Sequence, residues 1–268
     1  MRKIEFVYPK TLAVNMGSRE CELNCKHCGG HYLKAMTPAF LLQKEKLEGY
    51  KSVLLSGGCD IEGEMFLDGC VWERIKEERV NLHIGHYNMD KFLERMSTID
   101  YISMDFTLDS EIIQDIYHLK QTDEDFIRRF EMLHSRFLNK VVPHICIGLN
   151  YGRVKEEYKA IEYFSRLNIE KIVFIVFIPT PGTEMAQCEK PEIDDVINLF
   201  HYARERLAST KIQLGCMRPT GRYRQVLEER LISQNLVDTI VMPCRSSVEL
   251  AHVMGYECIK KEACCVFE

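Results

Sequence analysis

Along this 268-residue chain, short runs of β-branched and aromatic residues alternate with longer stretches whose apolar positions recur every three or four residues. The first pattern reads as strand and the second as amphipathic helix. Strands are expected at residues 11–16, 52–56, 81–86, 101–106, 141–150, 171–179, 211–216 and 237–242. Helices are expected at residues 68–79, 89–96, 123–139, 155–167, 191–207, 221–233 and 247–254. In "EEYKAIEYFSRL" the apolar side chains share one helical face, beside acid–base pairs three and four apart. Pro191 and Glu192 suit a helix start, where a missing N–H costs nothing and a negative charge meets the positive end. Strands that each lead into a helix predict a parallel sheet with right-handed crossovers. Eight such units close into a (β/α)8 TIM-type barrel; an open doubly wound sheet is the alternative. No repeat, low-complexity tract or Gly/Ser linker divides the chain, so residues 1–268 read as one α/β domain. Its C-terminal extension, from about residue 244 to 268, is expected near the barrel mouth.

Composition narrows the classes. With 46% hydrophobic and 28% charged residues, the chain can build a sizeable core. A net charge of −5 gives no basic balance for nucleic acid or an anionic membrane. The start, "MRKIEFVYPK", has no signal-peptide run, and the longest apolar run, "IVFIVFI", is too short to span a bilayer. A cytoplasmic protein is expected, with neither membrane nor nucleic acid as partner. Twelve cysteines are many for such a chain. Disulfide frameworks belong mainly to short secreted domains, so clustered thiols here point to metal or redox chemistry. Cys70 and Cys146, in apolar surroundings, read as small buried hydrophobes.

In a barrel, reactive groups gather at the carboxyl ends of the strands. Cys21, Cys25 and Cys28, in "SRECELNCKHCGGHYL", follow the first expected strand. The second strand ends in "LLSGGCD", where Gly57 and Gly58 after Ser56 let a backbone approach a ligand closely. His86, Asp105, Asn150, "IPTPGTEM", "LGCMRPTGR" and "MPCRSS" end or follow the later strands. A structural zinc site needs four ligands, and no second cysteine pair has the usual spacing, although His27 or His31 could add a nitrogen. A fully protein-ligated iron–sulfur cluster also takes four. Three leave one iron open to chelate the amino and carboxylate groups of a small molecule.

Three cysteines at this spacing in a first βα loop resemble the radical S-adenosylmethionine (radical SAM) enzymes. The resemblance implies that Cys21, Cys25 and Cys28 hold a [4Fe–4S] cluster whose fourth iron binds SAM. Reductive cleavage of SAM would then give a 5′-deoxyadenosyl radical for hydrogen abstraction. It implies that His27 lies near the adenine, where the family usually has an aromatic residue. It assigns the SAM amino group to the backbone of Ser56, Gly57 and Gly58, though Cys59 stands where an acid often follows. "YISMDF" and "IPTPGTEM" are similar to fourth- and sixth-strand segments of the biotin synthase-like subgroup. Asp105 is thereby the candidate for the ribose, and the turn of Ile178, Pro179 and Gly182 for the adenosine.

Late in the chain, Cys216, Cys244, Cys264 and Cys265 are candidates for a second iron–sulfur cluster, and Arg218 for a contact to it or to substrate. Lys260 and Lys261 would ease deprotonation of the tail thiols. "CRSSVEL" reads first as a serine N-cap, and its Arg245, Ser246 and Ser247 also match a lipoyl synthase motif. With these features the chain resembles one partner of the two-protein lipoyl synthases. That resemblance implies sulfur insertion, a related radical SAM partner, a lipoyl carrier protein, and ferredoxin or flavodoxin as electron donor. Two other readings stay open: a single-cluster enzyme that rearranges or fragments a small molecule, and a zinc-stapled binding scaffold.

Overall fold

A computed structural model describes residues 2–17, 20–65, 71–75, 78–85 and 99–267. Eleven strands form one sheet: β1 (Lys3–Val7), β2 (Thr11–Asn15), β3 (Thr37–Pro38), β4 (Ser52–Ser56), β5 (Val80–His83), β6 (Tyr101–Asp105), β7 (Val141–Ile147), β8 (Lys171–Val176), β9 (Lys211–Leu214), β10 (Thr239–Val241) and β11 (Glu257–Lys261). Their order is β11-β1-β10-β9-β8-β7-β6-β5-β4-β2-β3, and every ladder is parallel. The eight expected strands are all present as β2 and β4 to β10, in sequential order. The expected closure differs. Among the described residues the ladder runs from β11 to β3 without joining its ends, and three strands were not expected. The sheet is curled, and among the described residues it carries eleven strands rather than the eight of a (β/α)8 ring.

Helices α1 (Val71–Ile75), α2 (Asp123–Arg136), α3 (Glu157–Phe164), α4 (Ile193–Arg206), α5 (Arg222–Ser233) and α6 (Arg245–Val253) fall within expected segments or overlap them closely. The helix expected at residues 89–96, His86 and Cys70 lie outside the described residues. Local chemistry sets the helix ends. Thr122 and Asp125 form a capping box at the start of α2, each side chain accepting from the other's backbone N–H. At the start of α6 the N-cap is Cys244, with no side-chain cap bond. Neither Ser246 nor Ser247 plays the capping role read from "CRSS"; Ser247 is buried inside the helix.

Alternation along the strands separates two cores. Leu12, Val14, Val53, Leu55, Ile102, Met104, Ile172, Phe174, Ile212 and Leu214 belong to the large cluster that the helices cover. The opposite face curls round a smaller cluster of Val7, Val142, Val173, Val241, Cys265 and Val266. The chain's last segment thus fills the concave side of the sheet. Cys264 N donates to Ser52 Oγ (3.0 Å), Lys171 Nζ donates to the Val266 carbonyl (2.7 Å), and Phe267 meets Tyr101 edge to face. Ser52, Tyr101 and Lys171 begin β4, β6 and β8. The tail therefore plugs the amino ends of the strands, opposite the mouth where it was expected. Burying one Val side chain contributes roughly 1.5–3 kcal/mol, which favours this seat for Val266 over an exposed lid. Among the described residues no helix is long and apolar enough to cross a membrane.

Candidate functional site

The loop after β2 brings Cys21, Cys25 and Cys28 to the carboxyl edge of the sheet. Three staples hold it there. Lys26 Nζ pairs with Asp115 Oδ1 (2.6 Å), and Tyr151 Oη donates to Asp115 Oδ2 (2.5 Å). Lys26 N donates to the Ile116 carbonyl, and Met185 N donates to the Lys26 carbonyl. Tyr32 Oη bonds Thr180 Oγ1 at 2.9 Å. The expected turn of Ile178, Pro179 and Gly182 is thus brought beside the cysteine loop, with Gly182 at φ 84° as a left-handed turn residue.

The glycines after β4 meet the loop from the other side. A Cβ on Gly58 would lie 2.5 Å from the Glu20 carbonyl oxygen and 3.1 Å from Cys21 Cα. One on Gly57 would lie 3.3 Å from Asn15 Oδ1. Only a bare backbone fits so close to the cysteine loop. Ser56 closes the arrangement, its carbonyl accepting from Met16 N at 2.7 Å.

The thiols differ in their electrostatics. Cys59 N donates to Cys21 Sγ at 3.3 Å. Hydrogen bonding from Cys59, thiol first and backbone next, outweighs burial and lowers the Cys21 pKa to about 6. Cys28 is lowered to about 4, first by a hydrogen bond from the Cys25 thiol and then by His27, against burial. Cys25 is pushed well above its ordinary value by that same bond and by burial. Cys25, His27 and Cys28 place their ligand atoms within 4.8 Å of one another, the one such group among the described residues. His27 Nδ1 is buried without a hydrogen-bond partner, and its ring meets Tyr117 edge to face at 5.5 Å. Soft thiolates, one borderline nitrogen and a side-chain-free backbone form a donor set that fits an iron–sulfur cluster.

Asp105 does not sit on the cysteine loop. It faces the concave side, where His83 Nε2 lies 3.4 Å from its Oδ1. The His144 ring lies 5.6 Å from that of His83. Burial pushes the His83 pKa down, but the Asp105 carboxylate outweighs it and the net shift is upward. His144 is lowered to about 4 by burial and then by the His83 charge. Its Nδ1 lies 3.1 Å from the Val142 carbonyl, which fixes the proton on that nitrogen. Sequence reading singled out neither histidine. The signal was there in part: His83 and Asp105 fall on inward positions of adjacent strands, and Asp105 is in register with His144.

The late residues part company. Arg218 does not face a substrate space: it is 1% exposed, and its guanidinium donates to Glu228 and to the Gly215, Val241 and Met242 carbonyls. Cys244 caps α6, with its N–H donating to Glu228 Oε2 at 2.7 Å. Cys264 and Cys265 lie in the plug with sulfurs 3.9 Å apart, and Cys216 follows β9. Cys264 is lowered to about 7 by the Cys265 thiol first, with Asn81 also contributing, and the expected help from Lys260 and Lys261 is not among the causes. The four cysteines do not form a compact group of ligand atoms among the described residues.

No family model and no curated protein matches the chain. Solved structures do resemble it. HydG, a maturase of the [FeFe]-hydrogenase, superposes with TM-score 0.61 at 15% identity over 89% of this chain. Methylornithine synthase (PylB) does so with TM-score 0.60 at 12% identity, covering 97% of this chain and 84% of its own. SuiB from Streptococcus suis, solved bound to S-adenosylmethionine, gives 0.59 at 14% identity, covering 81% of this chain and 52% of its own. This chain spans 57% of the length of that HydG chain. At such identities the likeness is one of fold: a curled parallel sheet with helices packed on it.

Proposed function

We propose that this protein is a radical SAM enzyme with a [4Fe–4S] cluster on Cys21, Cys25 and Cys28. The observation that carries the reading is the convergence of the cysteine loop, the glycine edge after β4 and the turn after β8, in a fold shared with a protein solved with S-adenosylmethionine. When bound, the cluster and SAM supply the reductive radical chemistry that activates an unreactive C–H bond. The chain's own task is to bind and orient. The Ser56–Gly58 edge offers backbone groups to the methionyl end of SAM, and the 178–182 turn borders its adenosine. The concave side, lined by His83, Asp105 and His144, holds the substrate under these groups. A ferredoxin or flavodoxin would deliver the electron.

Two chemistries fit this frame. Cys216 lies within electrostatic reach of Cys264 and Cys265, while Cys244 caps α6; a single cluster, with hydrogen abstraction followed by rearrangement or fragmentation, needs none of the four. Sulfur insertion in lipoyl assembly, with a related radical SAM partner and a lipoyl carrier protein, rests on Cys216, Cys244, Cys264 and Cys265 gathering round a second cluster.

Iron and sulfide counts after anaerobic reconstitution test the reading. About four irons in the wild type and none in the Cys21→Ala, Cys25→Ala, Cys28→Ala variant are expected. About eight and four would make sulfur insertion the leading chemistry. Retention of iron by the triple variant at the wild-type level, or SAM cleavage by Cys25→Ala at the wild-type rate, would refute the assignment.

A further inference from the structure

The cysteine site holds one feature that three thiols do not require. Its compact group of ligand atoms contains a nitrogen: His27 stands with Cys25 and Cys28, all within 4.8 Å. His27 Nδ1 is buried and finds no hydrogen-bond partner. A nitrogen buried that way loses its water and gains nothing in return unless a ligand arrives. The ring is also held in place. It stands edge to face on Tyr117, at an interplanar angle of 71°. Tyr117 is itself buried, and its carbonyl oxygen lies 3.7 Å from the Cys25 sulfur. The ring lies against the Cys28 thiol, whose pKa it helps to lower, and an aromatic side chain needed only to flank adenine has no need of a nitrogen there. Iron accepts imidazole as well as thiolate, and histidine replaces cysteine on iron in some clusters.

We propose that His27 is a fourth protein ligand of the cluster: its imidazole binds the iron that the three cysteines leave open, and SAM displaces it. The inference rests on the radical SAM reading of the loop. The exchange is a ligand substitution. The iron–imidazole bond breaks, bonds to the SAM amino and carboxylate groups form, and no electron moves. SAM binding therefore competes with the protein's own side chain, and the cluster keeps all four irons protected before SAM arrives.

The test uses the full chain, reconstituted anaerobically and reduced without SAM. Pulsed EPR compares protein carrying ¹⁵N-histidine with unlabelled protein. A nitrogen coupling that follows the isotope is expected, and it should vanish when SAM is added. The His27→Phe variant should lack it and bind SAM about tenfold tighter, a difference of about 1.4 kcal/mol. A four-iron cluster with no histidine-derived coupling in the wild type overturns the inference and leaves the radical SAM reading standing. So does a coupling that survives His27→Phe. Failure of the wild type to assemble any cluster overturns both. The isotope comparison needs no variant, so poor folding of His27→Phe does not blunt it.

Discussion

Arg218→Met separates a structural arginine from a cluster or substrate arginine. In the wild type, Arg218 Nε and Nη2 donate to Glu228 Oε1 at 3.2 and 2.5 Å, and both side chains have no exposed surface. Nη1 reaches the Gly215 carbonyl at 2.5 Å, and Nη2 the Val241 carbonyl at 2.8 Å. The same carboxylate receives Arg224 Nε (3.0 Å) and Cys244 N (2.7 Å). One arginine thus ties the ends of β9 and β10 to α5 and to the cap of α6. Removing one partner of a buried ion pair costs about 3–5 kcal/mol, because the other charge stays buried. Arg224 remains to neutralise Glu228, so the loss should fall at the lower end, about 3 kcal/mol. Methionine keeps most of the volume and adds no cavity term. Urea unfolding of the purified protein measures the loss, and an iron count on the same sample reads the cluster. Adding Glu228→Gln should recover part of the stability, since the stranded charge is then gone. A loss below about 1 kcal/mol would refute the argument, as would a fall in iron with stability unchanged.

Gly58→Ala should lower iron incorporation, because its methyl group would press on the Glu20 carbonyl and Cys21 Cα; normal iron in the folded variant would show that the glycine edge is not tight. Cys264→Ser with Cys265→Ser should leave the iron count at the wild-type value while weakening the plug, and a loss of iron would return the pair to the ligand list. His144, with its pKa lowered to about 4, makes the fold acid-sensitive. As pH falls below about 6.5 the unfolded chain takes the proton first, so stability is lost from there down to about pH 4, by about 2 kcal/mol at pH 5. His83, raised by Asp105, contributes in the opposite sense, adding stability at low pH that is lost as pH rises through its folded value. His144→Gln should therefore lose about 2 kcal/mol less than wild type between pH 7.5 and 5 in urea unfolding; parallel curves would refute this.

The eight sequential strands were legible because burial on both faces writes long apolar runs, as in "KIVFIV" of β8. The flanking strands were not. β3 has two residues, and β11 reads "ECIKK", with little apolar pattern and an edge position. The cysteine loop was legible because its chemistry is local, eight residues from first thiol to last. What holds the loop was hidden, since Lys26 meets Asp115 across 89 positions and Asp115 meets Tyr151 across 36. The tail misled for a physical reason. In "ACCVF" the same residues serve as thiols or as small hydrophobes, and sequence pattern does not choose between them.

The choice is made by the shape of the sheet. A curled sheet whose ladder stays open has a concave face with two ends, and apolar inward residues such as Val7, Val142, Val173 and Val241 must be covered. The tail covers them, with Lys171 anchoring it at the amino ends of the strands. That puts the plug at the end of the strands away from the cysteine loop, the glycine edge and the 178–182 turn. Between plug and loop stand Asp105, His83 and His144, the carboxylate against His83 and the two imidazoles edge to face. Burial strengthens their electrostatics, so on the proposed reading this depth suits a small molecule with hydrogen-bonding groups better than an apolar one.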